Sequence, residues 1–190
     1  MENSSSVIPL LFNYFYSVIL ERVIEKVLFN RKETEELKAL AGDFHQAEVY
    51  DSGTVHVNTN LRNSFKYPFK DNLVFKHLIV PKLSQLGIED IGYESMLLKY
   101  TEGHYFKRHS DRHSNPGKRQ KTLVIQLSDS NEYEGGYLKV GDKACSKELG
   151  NVILFDAASM HEVTKINSGI RYCFLAFLEN SDLKKRVTLY

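Results

Sequence analysis

The chain has 190 residues, of which 42% are hydrophobic and 12% aromatic, with a formal net charge of +1. This length suits one substantial core and is too short for two ordinary domains, so we expect a single domain over residues 1–190. The near-neutral charge excludes a global positive field for nucleic-acid binding. Two cysteines, Cys145 and Cys173, form no disulfide framework or zinc-ribbon pattern and favour an intracellular, cytoplasmic setting.

Residues 1–45 are predicted to be mostly helical and to support the rest of the fold without a catalytic role. Residues 7–20 are apolar, but Pro9 and Asn13 interrupt them and no basic segment precedes them. A buried helix is therefore favoured over a signal peptide or a membrane span. Residues 18–29 repeat apolar side chains at near-helical spacing, and residues 31–37 continue as a charged helical surface.

The middle of the chain predicts a strand, a loop and a second helix. Residues 50–69 are typical of a strand followed by a long loop, and such loops are often lids or binding loops. A helix is predicted over residues 71–86, with Gly87 as its stop and Pro81 as a point of bending or splitting.

After Gly92 the pattern changes to short β-rich runs, which are residues 96–100, 122–127, 137–140, 152–155 and 172–178. Glycines and clusters of Asn, Asp and Ser separate these runs, as turns require. Short strands at this spacing favour a sandwich or jelly roll over a parallel α/β sheet. The predicted jelly-roll core spans residues 93–178.

Two histidines and one aspartate form a candidate metal site. On a strand, residues i and i+2 share a face, so His109 and Asp111 are predicted to project from one side. His161 follows the apolar run 152–155, at the end of another strand. Two imidazoles and a carboxylate are the ligands of non-haem Fe(II) sites with open positions. Arg171, ten residues beyond His161, could clamp a carboxylate.

Other metal patterns fit less well. His109 and His113 match the second half of a zinc-finger pattern, but no cysteine pair precedes them. His161-Glu162 begins like a zincin motif, but Lys165 stands where the second histidine is needed. An HxD pattern alone is common by chance, so the surrounding segments decide its meaning.

Five segments surround the triad in a recognisable order. Residues 100–111 hold a tyrosine, a glycine, aromatic residues and the HxD pattern, and residues 119–127 begin with Arg-x-x-Thr. Residues 133–138 hold a Gly-Gly pair, residues 150–155 lead toward the second histidine, and residues 161–172 join that histidine to the arginine. Together they resemble the Fe(II)/2-oxoglutarate-dependent dioxygenases, most of all the prolyl 4-hydroxylase branch.

The resemblance implies an α+β fold with a double-stranded β-helix (jelly roll) and supporting N-terminal helices. It also implies Fe(II), 2-oxoglutarate and O2, with ascorbate as a further candidate cofactor, and no catalytic residue beyond the metal ligands. Gln126 stands where the family often has a tyrosine. The implied roles are metal binding by His109, Asp111 and His161, co-substrate binding by Arg171, Tyr100, Thr122 and Gln126, and a substrate loop containing Arg62 and Ser64.

The activity implied is hydroxylation of a protein residue, above all prolyl 4-hydroxylation, with release of succinate and CO2. The partner would be a protein or peptide with a target proline, and neither nucleic acid nor membrane is expected. Two alternatives remain, a nucleic-acid oxidative demethylase and a non-catalytic jelly-roll binding module. The first would use a basic cluster, which could equally be a charged strand edge: Lys107, Arg108, Arg112, Lys118, Arg119 and Lys121.

Overall fold

A computed structural model describes residues 23–51, 53–69, 73, 75–88, 94–114 and 119–178. The strands are β1 (Ile24–Val27), β2 (His45–Gln46), β3 (Val49–Asp51), β4 (Thr54–His56), β5 (Arg62–Asn63), β6 (Phe65–Pro68), β7 (Glu94–Tyr100), β8 (Tyr105–His109), β9 (Lys121–Gln126), β10 (Tyr133–Gly135), β11 (Leu138–Val140), β12 (Lys143–Ala144), β13 (Asn151–Asp156), β14 (His161–Val163), β15 (Ile166–Gly169) and β16 (Arg171–Leu178). The helical segments are α1 (Arg31–Ala39), a π-helical turn (Phe75–Ile79), α2 (Val80–Leu83) and two 3₁₀ turns (Ser84–Leu86 and Asp111–Ser114).

Two antiparallel sheets form the body of the fold. The larger has seven strands in the order β1-β13-β9-β16-β7-β6-β2, and the smaller has five in the order β12-β11-β14-β8-β5. Two ribbons, β10–β15 and β3–β4, complete the described strands. This arrangement confirms the predicted jelly roll, and each of the five predicted β-rich runs lies in one of its strands, with at most one residue of the run beyond the end of the strand.

The central strands of the large sheet bury both faces. Alternate residues of a strand point to opposite sides, so Leu97 joins one core cluster and Leu98 the other. The first cluster packs Leu37 of α1 and Leu83 of α2 against the outer face of the sheet. The second cluster lies between the two sheets and includes Val124. Helices therefore cover the outer face, which leaves the inner face to shape a site.

The helix predicted over residues 18–29 is wrong in its described part. Residues Ile24–Val27 form β1, which pairs antiparallel with β13 at the edge of the large sheet. The open edge of β13 offers unpaired backbone groups, and the β-branched Ile24 and Val27 suit a strand. Residues 1–22, including the apolar segment 7–20, lie outside the described residues.

Of the two helical segments predicted farther along the chain, the first is present as a separate helix and the second is divided. Helix α1 begins after Asn30, whose side chain and that of Glu33 form a capping box, so the helical prediction for residues 31–37 is confirmed. The second helical segment runs from Phe75 to Leu86 and is split into three types of turn, with Pro81 in the first turn of α2. Gly87 ends it at φ 72°, a conformation that glycine adopts without strain. Within the described part of the chain, no helix combines the length and the apolar character needed to cross a membrane.

The long loop predicted within residues 50–69 is shorter than expected. A hairpin of β3 and β4 is followed by β5, which pairs with β8, and by β6, which pairs with β7. These pairings extend both sheets, because strand edges satisfy backbone groups that a long loop would leave to water.

Candidate active site

A cavity of about 360 Å³ lies between the two sheets. Its volume falls in the range of small-molecule sites. One wall belongs to the large sheet and the other to the small sheet. The lining residues include Leu98, Tyr100, Thr122, Val124, Arg171 and Cys173 from the large sheet, and Phe106, His109, Leu138, His161 and Val163 from the small sheet.

One end of the cavity, which we call the metal end, brings His109, Asp111 and His161 together. The two histidines are cross-strand partners in β8 and β14. Asp111 does not continue β8 as the strand argument predicted, because the chain turns into a 3₁₀ turn at that residue. The turn still brings the carboxylate to the rings, with Oδ1 3.6 Å from His109 Nε2 and Oδ2 3.3 Å from His161 Nε2. One ligand atom from each residue lies within 4.8 Å of the others.

Backbone carbonyls fix the orientation of both imidazole rings. His109 Nδ1 lies 2.8 Å from the carbonyl oxygen of Lys107, and His161 Nδ1 lies 2.9 Å from that of Ser159. Because a carbonyl only accepts, each Nδ1 carries the proton and donates it. Each Nε2 is then directed toward Asp111, which is how metal-binding histidines are commonly held.

Electrostatics favour the metal-binding forms of Asp111 and His109. Burial alone would raise the pKa of Asp111, but hydrogen bonds and charge interactions with His109 and His161 hold it well below its usual range. Burial lowers the pKa of His109 and favours its neutral form. Burial also opposes protonation of His161, yet the interaction with Asp111 outweighs it and raises that pKa. Asp111 therefore remains a carboxylate, the form that binds a metal.

The donor set fits Fe(II). Two imidazole nitrogens and one carboxylate oxygen form the triad that binds non-haem iron and leaves positions open for other ligands. Among the described residues, this is the one group of three or more His, Cys, Asp or Glu side chains close enough to hold a metal ion.

The opposite end of the cavity, which we call the arginine end, contains buried donors. Arg171, the first residue of β16, is 1% exposed, and its Nη2 donates to Gln126 Oε1 over 3.0 Å. Its Nε and Nη1, and the Oη of Tyr133, are buried and have no partner with good hydrogen-bond geometry among the described residues, and the guanidinium interacts with the Tyr133 phenol and the Cys173 thiol. An unpaired buried polar group costs about 1–3 kcal/mol. A carboxylate, with about four acceptor sites, would satisfy these donors.

Tyr133, whose phenol interacts with Arg171, was not predicted from the sequence. It precedes the Gly-Gly pair, and the pairing of β10 with β15 places it opposite Gly169, two residues before Arg171. Burial raises the pKa of Tyr133, so its phenol keeps the proton that it can donate. A tyrosine that opens a strand before a turn is the available sequence signal, but its partner depends on strand pairing.

The predicted co-substrate residues have different surroundings. Tyr100 lines the cavity, with its ring centre 5.3 Å from Arg171 Cζ, and burial raises its pKa so that the phenol stays protonated. Gln126 accepts from Arg171 and donates to the Ser146 carbonyl over 3.4 Å, so it orients the arginine. The hydroxyl of Thr122 is directed to Asp111 Oδ2 at 2.6 Å, at the metal end. This hydrogen bond places the hydroxyl beside a predicted metal ligand, and the co-substrate contact of Thr122 stays a prediction.

Arg62 and Ser64 were expected in a flexible loop, yet both are buried. Arg62 is 8% exposed and lies in β5, opposite Phe106 of β8. Its Nε donates to Ser64 Oγ over 2.9 Å, and its Cζ lies 4.7 Å from the centre of the Phe106 ring. Arg62 lines the cavity wall, and the β3–β4 hairpin supplies Tyr50 and Val55 at its exposed side.

The basic cluster carries acidic partners. Arg108 lies 3.9 Å from Asp142, Arg112 lies 3.7 Å from Asp156, and Arg119 lies 2.7 Å from Glu94. Lys118 lies outside the described residues. These pairings favour the charged strand edge over a surface that neutralises phosphates.

Known proteins share both the sequence pattern and the fold. Residues 95–179 match the family model of the 2OG-Fe(II) oxygenase superfamily. A PKHD-type hydroxylase of Cupriavidus pinatubonensis is 27% identical over 111 residues, which are 53% of this chain and 49% of that protein, about half of its length. The crystal structure of a Pseudomonas putida prolyl-4-hydroxylase has a TM-score of 0.66 at 16% identity, covering 90% of this chain and 100% of that one.

A Trichoplax adhaerens prolyl hydroxylase, solved with a peptide fragment of the hypoxia inducible factor oxygen degradation domain, has a TM-score of 0.60 at 17% identity and covers 98% of both chains. The segment matched by the family model contains the three metal-end residues and Arg171. Residues 95–179 of this chain are therefore similar to the 2OG-Fe(II) oxygenase superfamily, the iron- and 2-oxoglutarate-dependent dioxygenases, and the fold of the chain is that of solved prolyl hydroxylases.

Proposed function

We propose that this protein is an Fe(II)- and 2-oxoglutarate-dependent dioxygenase that hydroxylates a prolyl residue of a protein or peptide. One observation carries the proposal. A single cavity holds a His-Asp-His triad at one end and buried, unpaired guanidinium donors at the other. A co-substrate with a metal-binding group and a distant carboxylate would join these two ends.

The residues of the chain have distinct roles in this proposal. His109 and His161 hold the metal through Nε2, and Asp111 holds it through a carboxylate oxygen. When bound, Fe(II) would supply the activation of O2. This chemistry would hydroxylate a C–H bond of the substrate and convert 2-oxoglutarate to succinate and CO2. Arg171 and Tyr133 receive the distal carboxylate through charge-assisted and neutral hydrogen bonds. Gln126 keeps the guanidinium in place.

The cavity walls protect the reaction from water. Leu98, Val124, Phe155 and Val163 line the space between the two ends, and each is largely buried. Apolar walls exclude water and strengthen every electrostatic contact inside. The oxidised carbon of the substrate must therefore enter through the mouth of the cavity.

A peptide substrate is supported by the mouth of the cavity. Tyr50, Val55 and Met160 line it and are 46%, 69% and 41% exposed. Exposed apolar side chains next to a cavity mark binding surfaces, and these suit a compact, largely apolar ring such as that of proline. The similarity to a prolyl hydroxylase solved with a peptide favours the same substrate class. We further propose that residues 1–190 act as one domain with residues 93–178 as its core.

Turnover with proline-containing peptides tests this function. Purified protein is mixed with Fe(II), 2-oxoglutarate, ascorbate and a peptide library, and succinate and peptide masses are measured. We expect succinate in proportion to peptides that gain one oxygen atom on proline, and none from Asp111→Ala. Succinate without oxidised proline would retain the dioxygenase and remove the prolyl substrate. Absence of both products from the wild-type protein would remove the proposal.

A further inference from the structure

Thr122 is a fully buried residue bonded to one of the metal-end residues. Its Oγ1 donates to Asp111 Oδ2 over 2.6 Å, and the residue is 0% exposed. It lies in β9 between Phe155 of β13 and Phe177 of β16, its cross-strand partners. Hydroxyl-to-carboxylate bonds of this length are the short, charge-assisted kind, and they are stronger where water is excluded.

The two partners differ in how their backbones are held. Thr122 belongs to a strand that is paired on both sides within the large sheet. Its branched side chain is stiff about χ1, so the sheet sets the position of its hydroxyl. Asp111 begins a short 3₁₀ turn outside the sheets. The hydrogen bond therefore connects the carboxylate to a strand that is paired on both sides.

The bond also distinguishes the two oxygens of the carboxylate. Oδ2 accepts from Thr122 and also lies 3.3 Å from His161 Nε2, whereas Oδ1 lies 3.6 Å from His109 Nε2. A carboxylate held in one plane can offer a single oxygen to a metal, while one that rotates freely can offer both. A second bound oxygen would fill a position that a co-substrate or O2 requires.

We propose that Thr122 is a positioning residue that holds Asp111 as a one-oxygen metal ligand. This inference rests on the proposed metal-dependent function. It gives Thr122 a role at the metal end, away from the carboxylate of the co-substrate. The hydroxyl is the essential group, and its loss weakens metal binding and alters the coordination geometry.

The test measures Mn(II) affinity by titration and coordination geometry from the visible spectrum of the Co(II)-loaded protein. Thr122→Val keeps the shape and removes the hydroxyl, and Thr122→Ser keeps the hydroxyl. Thr34→Val is the matched control, because Thr34 is equally buried and donates to the Arg31 carbonyl in α1. We expect Thr122→Val to lower Mn(II) affinity about 10- to 100-fold and to shift the Co(II) spectrum. Thr122→Ser and Thr34→Val should resemble the wild type.

The outcomes separate this inference from the proposed function. A wild-type protein that binds neither ion overturns both. A wild type that binds Mn(II), with Thr122→Val equal to it in affinity and spectrum, overturns only the role of Thr122. If Thr122→Val fails to fold, Thr122→Ala is compared with Thr122→Ser. Equal affinities then overturn the inference, and a loss confined to Thr122→Ala supports it.

Discussion

The two ends of the cavity differ in how their polar groups are satisfied. At the metal end, Asp111 accepts from Thr122 and lies between two histidines, each of which donates to a backbone carbonyl. At the arginine end, Arg171 has one partner, and three buried donor atoms around it and Tyr133 have none among the described residues. Hydrogen bonds within the protein thus hold the side chains of the metal end, whereas a bound acceptor would satisfy the donors of the arginine end. We expect this difference in a site that binds a resident metal through pre-organised ligands and an exchangeable anion through donors that are unpaired in its absence.

We expect the largest effect from a substitution at the arginine end. Arg171→Met keeps an unbranched apolar side chain and removes the guanidinium. We expect the binding of 2-oxoglutarate to the Mn(II)-loaded protein to become less favourable by about 2–5 kcal/mol, which raises the Kd roughly 30-fold or more. Calorimetric titration measures it. Arg31→Met, on an exposed side chain that pairs with Asp129, is the control. Unchanged 2-oxoglutarate affinity in Arg171→Met would refute the assignment of the arginine end.

In the protein without metal or co-substrate, we expect Asp111→Ala to lower the free energy of unfolding more than Arg171→Met does. In the metal-free protein, Asp111→Ala removes an acceptor used by Thr122 and should lower the free energy of unfolding by about 1–3 kcal/mol. Arg171→Met removes two donor atoms that have no acceptor among the described residues and one that donates to Gln126 Oε1, so the two effects should largely cancel and the change should stay within about 1 kcal/mol. Urea unfolding in the presence of a chelator measures both. A larger loss in Arg171→Met than in Asp111→Ala would contradict the comparison.

A smaller effect sharpens the role of Tyr133. Tyr133→Phe removes one hydroxyl donor and leaves the buried ring in place. One neutral hydrogen bond contributes about 1 kcal/mol, so we expect 2-oxoglutarate affinity to fall about 5-fold with metal affinity unchanged. Tyr137→Phe, at a residue 44% exposed, is the control. Equal affinities in the two variants would exclude Tyr133 from the anion site.

The smallest effect concerns a carboxylate outside the lining of the cavity. Glu25 of β1 lies 2.6 Å from Lys143 Nζ and accepts from the Ser146 backbone over 2.7 Å. Burial raises its pKa, but these bonds outweigh burial and lower the pKa below 4.5. Because the folded pKa is depressed, the stabilisation is present above the unfolded value and is lost as pH falls through the folded pKa.

Urea unfolding of Glu25→Gln tests this sign. The variant should be less stable than the wild type by about 1 kcal/mol at pH 7, and the difference should shrink as pH falls below 4.5. Gln46→Glu, in β2 at the opposite edge of the large sheet, serves as a control for a change of charge elsewhere on the sheet. A difference that grows as the pH falls would contradict the assignment.

Local pattern was sufficient for much of this protein. Residues 122–127 and 172–178 were recognisable as strands because β-rich runs between turn residues depend on short-range chemistry. The same holds for α1, whose cap lies within four residues of sequence. His109, Asp111, His161 and Arg171 were identified by residue type and spacing, since metal and carboxylate binding restrict the usable side chains.

Tertiary structure decided which of these groups meet. Residues 24–27 have helical spacing but form β1, because β13, more than a hundred residues away, offers an open edge. Thr122 binds Asp111, Gln126 orients Arg171, and Tyr133 completes the arginine end only through strand register. The sequence by itself therefore determined the kinds of chemical group and most of the strands. The pairing of strands far apart in the chain decided which of these groups contact one another. No local pattern contains that pairing, because each register depends on residues from both strands.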